Sequence, residues 1–155
     1  MGRSQEAERV VVNASVMLAV IILDEPWIAR EGSMRLLQEI EDGRLTAFVP
    51  DRFSGKVLGG VLKALAVQRP LLIAVDEIFH FLSRIPFIWC REGEIWRPED
   101  VWATTQEFDC PYADAIYIQL ARQYQATLWT ADMRLVRNLR RRRFPARWVG
   151  EIFGR

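Results

Sequence analysis

The sequence predicts a three-layer α/β/α fold, in which helices cover both faces of a central, mostly parallel β-sheet. Short apolar runs rich in β-branched residues alternate with longer segments that carry apolar residues at helical spacing. Strands that alternate with helices form parallel sheets, because each intervening helix returns the chain to the same edge. The length of 155 residues, half of them hydrophobic, suits a single domain over residues 1–155 with its own core.

The first half of the chain contains two predicted strands and four predicted helices. A polar lead-in over residues 1–8, which we expect to be partly disordered, precedes the first strand at residues 9–12, and the second strand spans residues 45–49. Helices are predicted over residues 14–22, 34–42, 54–67 and 71–82, the second of them with Ser33 as its N-cap and Gly43 as its C′ residue. In the helix over residues 54–67, four side chains are predicted to point inward: Val57, Val61, Leu62 and Leu65.

The second half of the chain continues the alternation of strands and helices. A short strand at residues 87–90 precedes a helix that Pro98 opens and that ends near residue 108. A helix with one buried face follows from about residue 112, and the strand at residues 126–129 shows no polar alternation, as expected of a strand covered on both faces. A helix from about Met133 and an edge strand at residues 147–149 complete the prediction.

Composition excludes several kinds of site. A net charge of +1 indicates neither nucleic acid nor membrane by itself. Cys90 and Cys110 lie far apart and His80 is the only histidine, which excludes a zinc site of the usual spacing, and we interpret both cysteines as packing residues of a reducing compartment. The apolar run over residues 10–23 is too short to span a bilayer and no signal peptide is evident, so we expect a soluble, cytoplasmic protein with no membrane partner.

Two aspartates mark the edge of the predicted sheet where chemistry is expected. Asp114 falls in the first turn of its helix, and Asp132 follows the strand at residues 126–129. In open α/β sheets, ligands collect at the carboxyl ends of the strands, so the two carboxylates could meet there. The alternative reading of each residue is a helix N-cap with no further role.

Three landmarks of this sequence occur in the order and spacing of a known family: VVNASV at residues 11–16 with LDEP at residues 23–26, YADAIYI at residues 112–118, and LWTAD at residues 128–132. They resemble PIN domains, most of all the VapC-type toxins of toxin–antitoxin pairs. The resemblance covers nearly the whole chain. It implies a PIN-like fold, a ribonuclease that depends on Mg²⁺ or Mn²⁺, a homodimer, and a partner antitoxin that holds the enzyme inactive.

The family's acidic site is only partly present in this sequence. Asp114 and Asp132 match two of the family's metal-binding aspartates, and Thr130 matches the hydroxyl residue that precedes the second of them. Asn13 stands where the family has an aspartate after the first strand, and Lys56 stands where it has a glutamate. These four positions carry −4 in the family, whereas here Asn13 (0), Lys56 (+1), Asp114 (−1) and Asp132 (−1) sum to −1.

This charge difference leaves two hypotheses open. Hard divalent cations bind carboxylate oxygens, and a lysine ammonium repels them, so an ion pair between Lys56 and an aspartate would close the pocket. The first hypothesis is a working or crippled ribonuclease with Asp114 and Asp132 as metal ligands, supported by Asn13 and Thr130. The second is an inactive pseudo-nuclease that binds RNA or a protein partner. Nearby acids at positions 51, 107 and 109 could restore the missing charge, although each is more typical of a solvated loop or helix end.

Four residues are candidates for RNA binding: Lys56, Ser15, Arg140 and Arg143. The last two belong to an arginine-rich segment at residues 137–147, next to Phe144 and Trp148, which could bind an RNA backbone and stack bases. The alternative is a helix end whose arginines interact favourably with the helix dipole and stay solvated.

Overall fold

The computed structural model describes residues 6–154, which contain one parallel sheet of five strands. The strands are β1 (Glu8–Val12), β2 (Leu45–Pro50), β3 (Ile88–Cys90), β4 (Thr127–Thr130) and β5 (Ala146–Trp148). They lie side by side in the order β3–β2–β1–β4–β5, and every pairing is parallel. The predicted three-layer α/β fold with a parallel sheet is therefore confirmed.

The helices match most of the predicted ones. They are α1 (Ala14–Ile21), α2 (Trp27–Glu41), α3 (Phe53–Ala66), α4 (Val75–Arg84), α5 (Pro98–Phe108), α6 (Tyr112–Tyr124), α7 (Met133–Arg141) and a final 3-10 helix (Val149–Gly154). α6 contacts β1, β2 and β4 and packs against α5, whereas α1 contacts β4 and packs against α2 and α3. Within residues 6–154, no helix combines the length and the apolar character that crossing a bilayer requires.

The central strand β1 determines where the polar strand ends meet. Val10, Val11 and Val12 are completely buried, as expected of a strand covered on both faces. Val12 is in register with Trp129 of β4, so the two strands end side by side. The residues that follow them therefore lie close together at the carboxyl edge of the sheet.

The prediction for α2 is wrong at its start. The helix begins at Trp27, and Ser33 is a fully buried residue in its interior rather than its N-cap. The reason is a close contact with the final 3-10 helix, since a Cβ on Gly32 would come within 2.3 Å of the Val149 carbonyl oxygen. Two small residues at positions 32 and 33 thus allow this packing. The predicted end of α2 is correct, and Gly43 follows the helix with a φ of 75°.

The predicted inward face of α3 is half wrong. Val57 and Val61 are buried, but Leu62 and Leu65 are 68% and 45% exposed, and Ala64 is buried in their place. The rotation of the helix is explained by Gly60, where an added Cβ would lie 2.6 Å from Leu18 Cδ1. Because α1 approaches so closely at Gly60, the face of α3 that contains positions 60 and 64 turns toward α1.

Two other boundaries differ from the prediction. The helix expected from residue 71 begins at Val75, because Leu71 forms a β-bridge with Ile22 and the Leu72 amide donates to the Ile21 carbonyl at 2.7 Å. A polar lead-in was predicted over residues 1–8. Positions 1–5 lie outside the described residues, and Glu8 already belongs to β1.

Candidate functional site

The first wall of the site is the junction between β1 and α1. The Asn13 amide donates to the Trp129 carbonyl at 3.0 Å, which fixes the end of β1 against β4. The Asn13 side chain then caps α1, because its Oδ1 accepts the Ser15 amide at 2.9 Å. Asn13 is 8% exposed, so its amide oxygen is held at a buried edge of the site.

Two hydroxyls connect α1 to the end of β4. Ser15 Oγ and Thr130 Oγ1 lie 3.0 Å apart and share a hydrogen bond. Ser15 Oγ also accepts the Ala131 amide at 3.0 Å, and Thr130 Oγ1 accepts the Asp132 amide at the same distance. Thr130 is fully buried, so this network fixes the backbone that carries Asp132.

Asp132 and Asp114 approach the site from different helices. Asp132 caps α7, because its Oδ1 accepts the amides of Arg134 and Leu135 at 2.9 and 3.3 Å. Asp114 lies in the first turn of α6 and is partly buried. Burial raises the pKa of Asp114, the negative charge of Asp132 raises it further, and the positive charge of Lys56 lowers it. Asp114 thus interacts electrostatically with both Asp132 and Lys56.

Lys56 lies in the first half of α3 with its side chain exposed. Its ammonium group affects Asp114 through space, yet it forms no ion pair within 4.0 Å with an acidic side chain of residues 6–154. The direct pair with Asp114 or Asp132 that the second hypothesis uses to close the pocket is thus not formed. The positive charge nevertheless acts on the place where a cation would have to bind.

Comparison with solved structures finds the same architecture. The crystal structure of PAE2754 from Pyrobaculum aerophilum covers 97% of this chain and 95% of its own, with a TM-score of 0.65 and 16% identity. VapBC2 from Rickettsia felis, bound to a DNA fragment from its promoter, covers 90% of this chain and 98% of its own, with a TM-score of 0.59 and 14% identity. This chain has the PIN-domain fold. Comparison with protein-family models and with curated proteins finds no match.

The donor set of this PIN fold does not fit a tightly held divalent ion. Among residues 6–154, no group of three or more acidic, histidine or cysteine side chains is arranged to hold a metal. The candidate ligands at this edge are the carboxylates of Asp114 and Asp132 and the neutral amide oxygen of Asn13, which already accepts a hydrogen bond from the Ser15 amide. Mg²⁺ and Mn²⁺ prefer several carboxylate oxygens, so two carboxylates beside a lysine form a weak site at best.

The three nearby acids do not complete the set in this conformation. Glu107 forms an ion pair with Arg122 at 2.6 Å, which lowers the pKa of Glu107. Asp109 is the left-handed C-cap of α5, and Asp51 is an exposed residue at the end of β2. Within residues 6–154, none of them joins Asp114 and Asp132 in a group of three side chains that could hold a metal ion.

The two arginine candidates lie away from the acidic site. Arg140 is at the end of α7 and binds both carboxylate oxygens of Glu151 at 2.5 Å, while its Nε donates to the Ala146 carbonyl. Arg140 and Arg143 line a groove with Glu8 and Thr127, which begin β1 and β4. Because α7 runs back along β4, its last turn reaches the amino edge of the sheet. Arg140 and Arg143 are thus not part of the site at the carboxyl edge.

The structure adds one residue that sequence reasoning treated only as core. Tyr117 lies one turn after Asp114 on α6, is 4% exposed, and places its hydroxyl beside the first amide of α1. Burial raises the pKa of Tyr117, the Ala14 amide lowers it, and the charge of Asp114 raises it. Tyr117 follows Asp114 by three residues, a spacing that places both side chains on one side of the helix and could have marked Tyr117 as a site residue. The same position belongs to the apolar stripe of α6, so the sequence indicated only a core residue.

Proposed function

We propose that this chain is a VapC-type PIN protein: a ribonuclease scaffold that binds RNA and has an impaired site for Mg²⁺ or Mn²⁺. One observation carries the proposal: β1 and β4 end side by side, which brings Asn13 and Asp132 to the same carboxyl edge of the sheet, and Asp114 interacts electrostatically with Asp132 and Lys56. Two carboxylates at this edge support descent from a metal-dependent nuclease site. The lysine beside them supports the loss of strong metal binding.

The pseudo-nuclease is the second candidate function, and the position of Lys56 favours it. The exposed ammonium of Lys56 can bind a phosphate group without a metal ion. Without a firmly held cation, nothing in this donor set lowers the pKa of an attacking water molecule. In this form the protein binds RNA or a protein partner and does not cleave.

Cleavage and binding of single-stranded RNA separate these two functions. Weak Mn²⁺-dependent cleavage by the unmodified chain would indicate the impaired nuclease, and RNA binding without cleavage would indicate the pseudo-nuclease, whereas in both cases Asn13→Asp combined with Lys56→Glu should gain cleavage. Asp114→Ala in the double variant is the matched control and should abolish the gained cleavage. Robust Mn²⁺-dependent cleavage by the unmodified chain would contradict the impaired site, and absence of RNA binding would contradict the proposed substrate class.

We also propose that the protein forms a homodimer and binds an antitoxin. Several large apolar side chains are exposed on different helices and are candidates for contacts with another protein: Trp27, Leu62, Val67, Phe79 and Trp102. VapBC2, whose fold is similar, supports the antitoxin as the class of partner. Light scattering after size-exclusion chromatography tests the dimer, and Trp102→Glu and Leu62→Glu show which surface mediates it. A monomer at all concentrations would contradict the proposed dimer.

A further inference from the structure

An exposed arginine face runs along α7. Seven arginines and no acidic residue lie between positions 133 and 150. Arg134, Arg137 and Arg141 follow one another at intervals of three and four residues, so they lie on one face of the helix and span about 10 Å along its axis. All three are exposed, because the apolar residues on the opposite side of α7 are buried against the sheet. We call these three residues the arginine face.

The positive charge of the arginine face is not compensated. None of its three side chains forms an ion pair within 4.0 Å or a side-chain hydrogen bond with residues 6–154. The neighbouring Glu151 binds Arg140 and Arg147 instead, at 2.5 and 3.2 Å. The seven arginines together with Arg122, which binds Glu107, outnumber the carboxylates near α7 by three: Glu8, Glu107, Asp109, Asp132 and Glu151. The surface is therefore complementary to a negatively charged partner.

The surface around the arginine face also has an apolar component. Arg137, Arg140 and Arg141 line an open depression of about 610 Å³. Most of its wall is apolar, because the methylene chains of the arginines form it. A partner that fits both the charge and the depression therefore carries apolar side chains next to its negative groups.

Other anionic partners fit this surface less well than a protein does. Single-stranded RNA binds where aromatic rings are free to stack bases, whereas Phe144 is buried against Phe108, with ring centroids 5.5 Å apart, and Trp148 is partly buried. A nucleic-acid duplex offers phosphates but no apolar side chains for the depression. An anionic membrane needs large apolar side chains beside the basic ones, and Met133 is the one such side chain exposed on α7, all of whose residues are described.

We propose that the arginine face of α7 binds an acidic amphipathic segment of a protein partner. Carboxylates at intervals of three and four residues on a helical segment have the same spacing as Arg134, Arg137 and Arg141, and guanidinium groups bind carboxylates in a bidentate manner. An apolar side chain of the segment then fills the depression between the arginine stems. The inference rests on the proposed protein partnership, to which it adds the binding surface and the charge of the partner. It does not depend on RNA binding or on cleavage.

Isothermal titration calorimetry with a synthetic peptide tests this assignment on the full chain. The peptide carries glutamates and leucines at helical spacing, one control peptide has glutamine for every glutamate, and a second has serine for every leucine. We expect the first peptide to bind about tenfold more tightly than either control, because several exposed ion pairs and the apolar contact each contribute a few-fold. Equal binding of the glutamine peptide would overturn the charge complementarity, and equal binding of the serine peptide would overturn the role of the depression.

Arginine variants test whether the peptide binds on α7. Arg137→Gln should weaken peptide binding about threefold, and Arg141→Gln in addition should bring the loss to about tenfold, whereas Arg137→Lys keeps the charge and should stay within about twofold. Arg44→Gln is the matched control, because it removes the same charge from an exposed position just before β2, and it should have little effect. These side chains have no partner among the described residues, so the melting temperature should stay unchanged in every variant. Equal weakening by Arg137→Gln and Arg44→Gln would overturn the assignment.

The outcomes separate this inference from the proposed protein partnership. If the glutamate peptide does not bind, or if Arg137→Gln weakens binding of single-stranded RNA but not of the peptide, the arginine face is not a protein-binding surface. Neither result alters the dimer measured by light scattering or its response to Trp102→Glu and Leu62→Glu, so the partnership then stands without α7. A monomer that still binds the glutamate peptide would contradict the dimer and leave this inference in place.

Discussion

Lys56→Glu is expected to tighten Mn²⁺ binding at the aspartate pair by about tenfold. Lys56 is exposed, so the dielectric constant of water applies, and a unit charge about 6 Å from a divalent ion then contributes about 1.4 kcal/mol. Reversing the charge from +1 to −1 doubles this value, and screening in about 0.15 M salt roughly halves it again. The remaining 1.4 kcal/mol or so corresponds to about one order of magnitude in the dissociation constant.

The matched control for this change is Arg44→Glu. It makes the same charge reversal at an exposed position just before β2, at the opposite edge of the sheet from the aspartate pair, so its effect on Mn²⁺ should stay below about twofold. Electron paramagnetic resonance of free Mn²⁺ measures both variants under identical conditions. Equal effects of the two reversals, or no effect of Lys56→Glu, would refute the assignment of Lys56 to the metal-binding position.

Four further substitutions test the packing of the fold and the electrostatics of the site. Gly32→Ala should destabilise the fold by about 1–3 kcal/mol in urea denaturation, because its Cβ would meet the Val149 carbonyl, whereas Gly59→Ala, with open space around it, should stabilise by up to about 1 kcal/mol. Thr130→Val should cost about 0.5–1.5 kcal/mol in the same assay, since it removes the hydrogen-bond acceptor of the Asp132 amide. Asp114 has a pKa raised above 3.8 in the fold, so the stability it contributes is present below pH about 3.8 and lost as pH rises through the folded pKa. Asp114→Asn should therefore raise the melting temperature at pH 7, with a difference that disappears toward pH 3; an unchanged melting temperature at pH 7 would contradict the raised pKa.

The order of strands and helices was predictable because hydrophobic periodicity is a local signal. The apolar run of β1 and the non-alternating run of β4 identified buried strands, and their parallel pairing follows from the helices between them. The errors arise where another element overrides a local signal. Ser33 has the chemistry of an N-cap but lies inside α2, because Gly32 allows the final 3-10 helix to approach.

The candidate site was only partly predictable for a related reason. Asn13 and Asp132 follow strands that end side by side, so their proximity could be inferred from the sequence alone. The sum of formal charges could not show whether Lys56 forms an ion pair with an aspartate, because that pair depends on the direction of an exposed, flexible side chain. Arg140 was a candidate for RNA binding, with a solvated helix end as the alternative, and its partner Glu151 comes from a 3-10 helix that the sequence pattern did not indicate.

The affinity of the unmodified chain for Mn²⁺ tests the central claim most directly. Titration followed by electron paramagnetic resonance counts the bound ions per chain, and Asp114→Ala identifies those held at the aspartate pair. With two carboxylates opposed by a lysine, we predict a dissociation constant no tighter than about 1 mM. One ion bound per chain at micromolar concentration, and lost in Asp114→Ala, would contradict an impaired metal site.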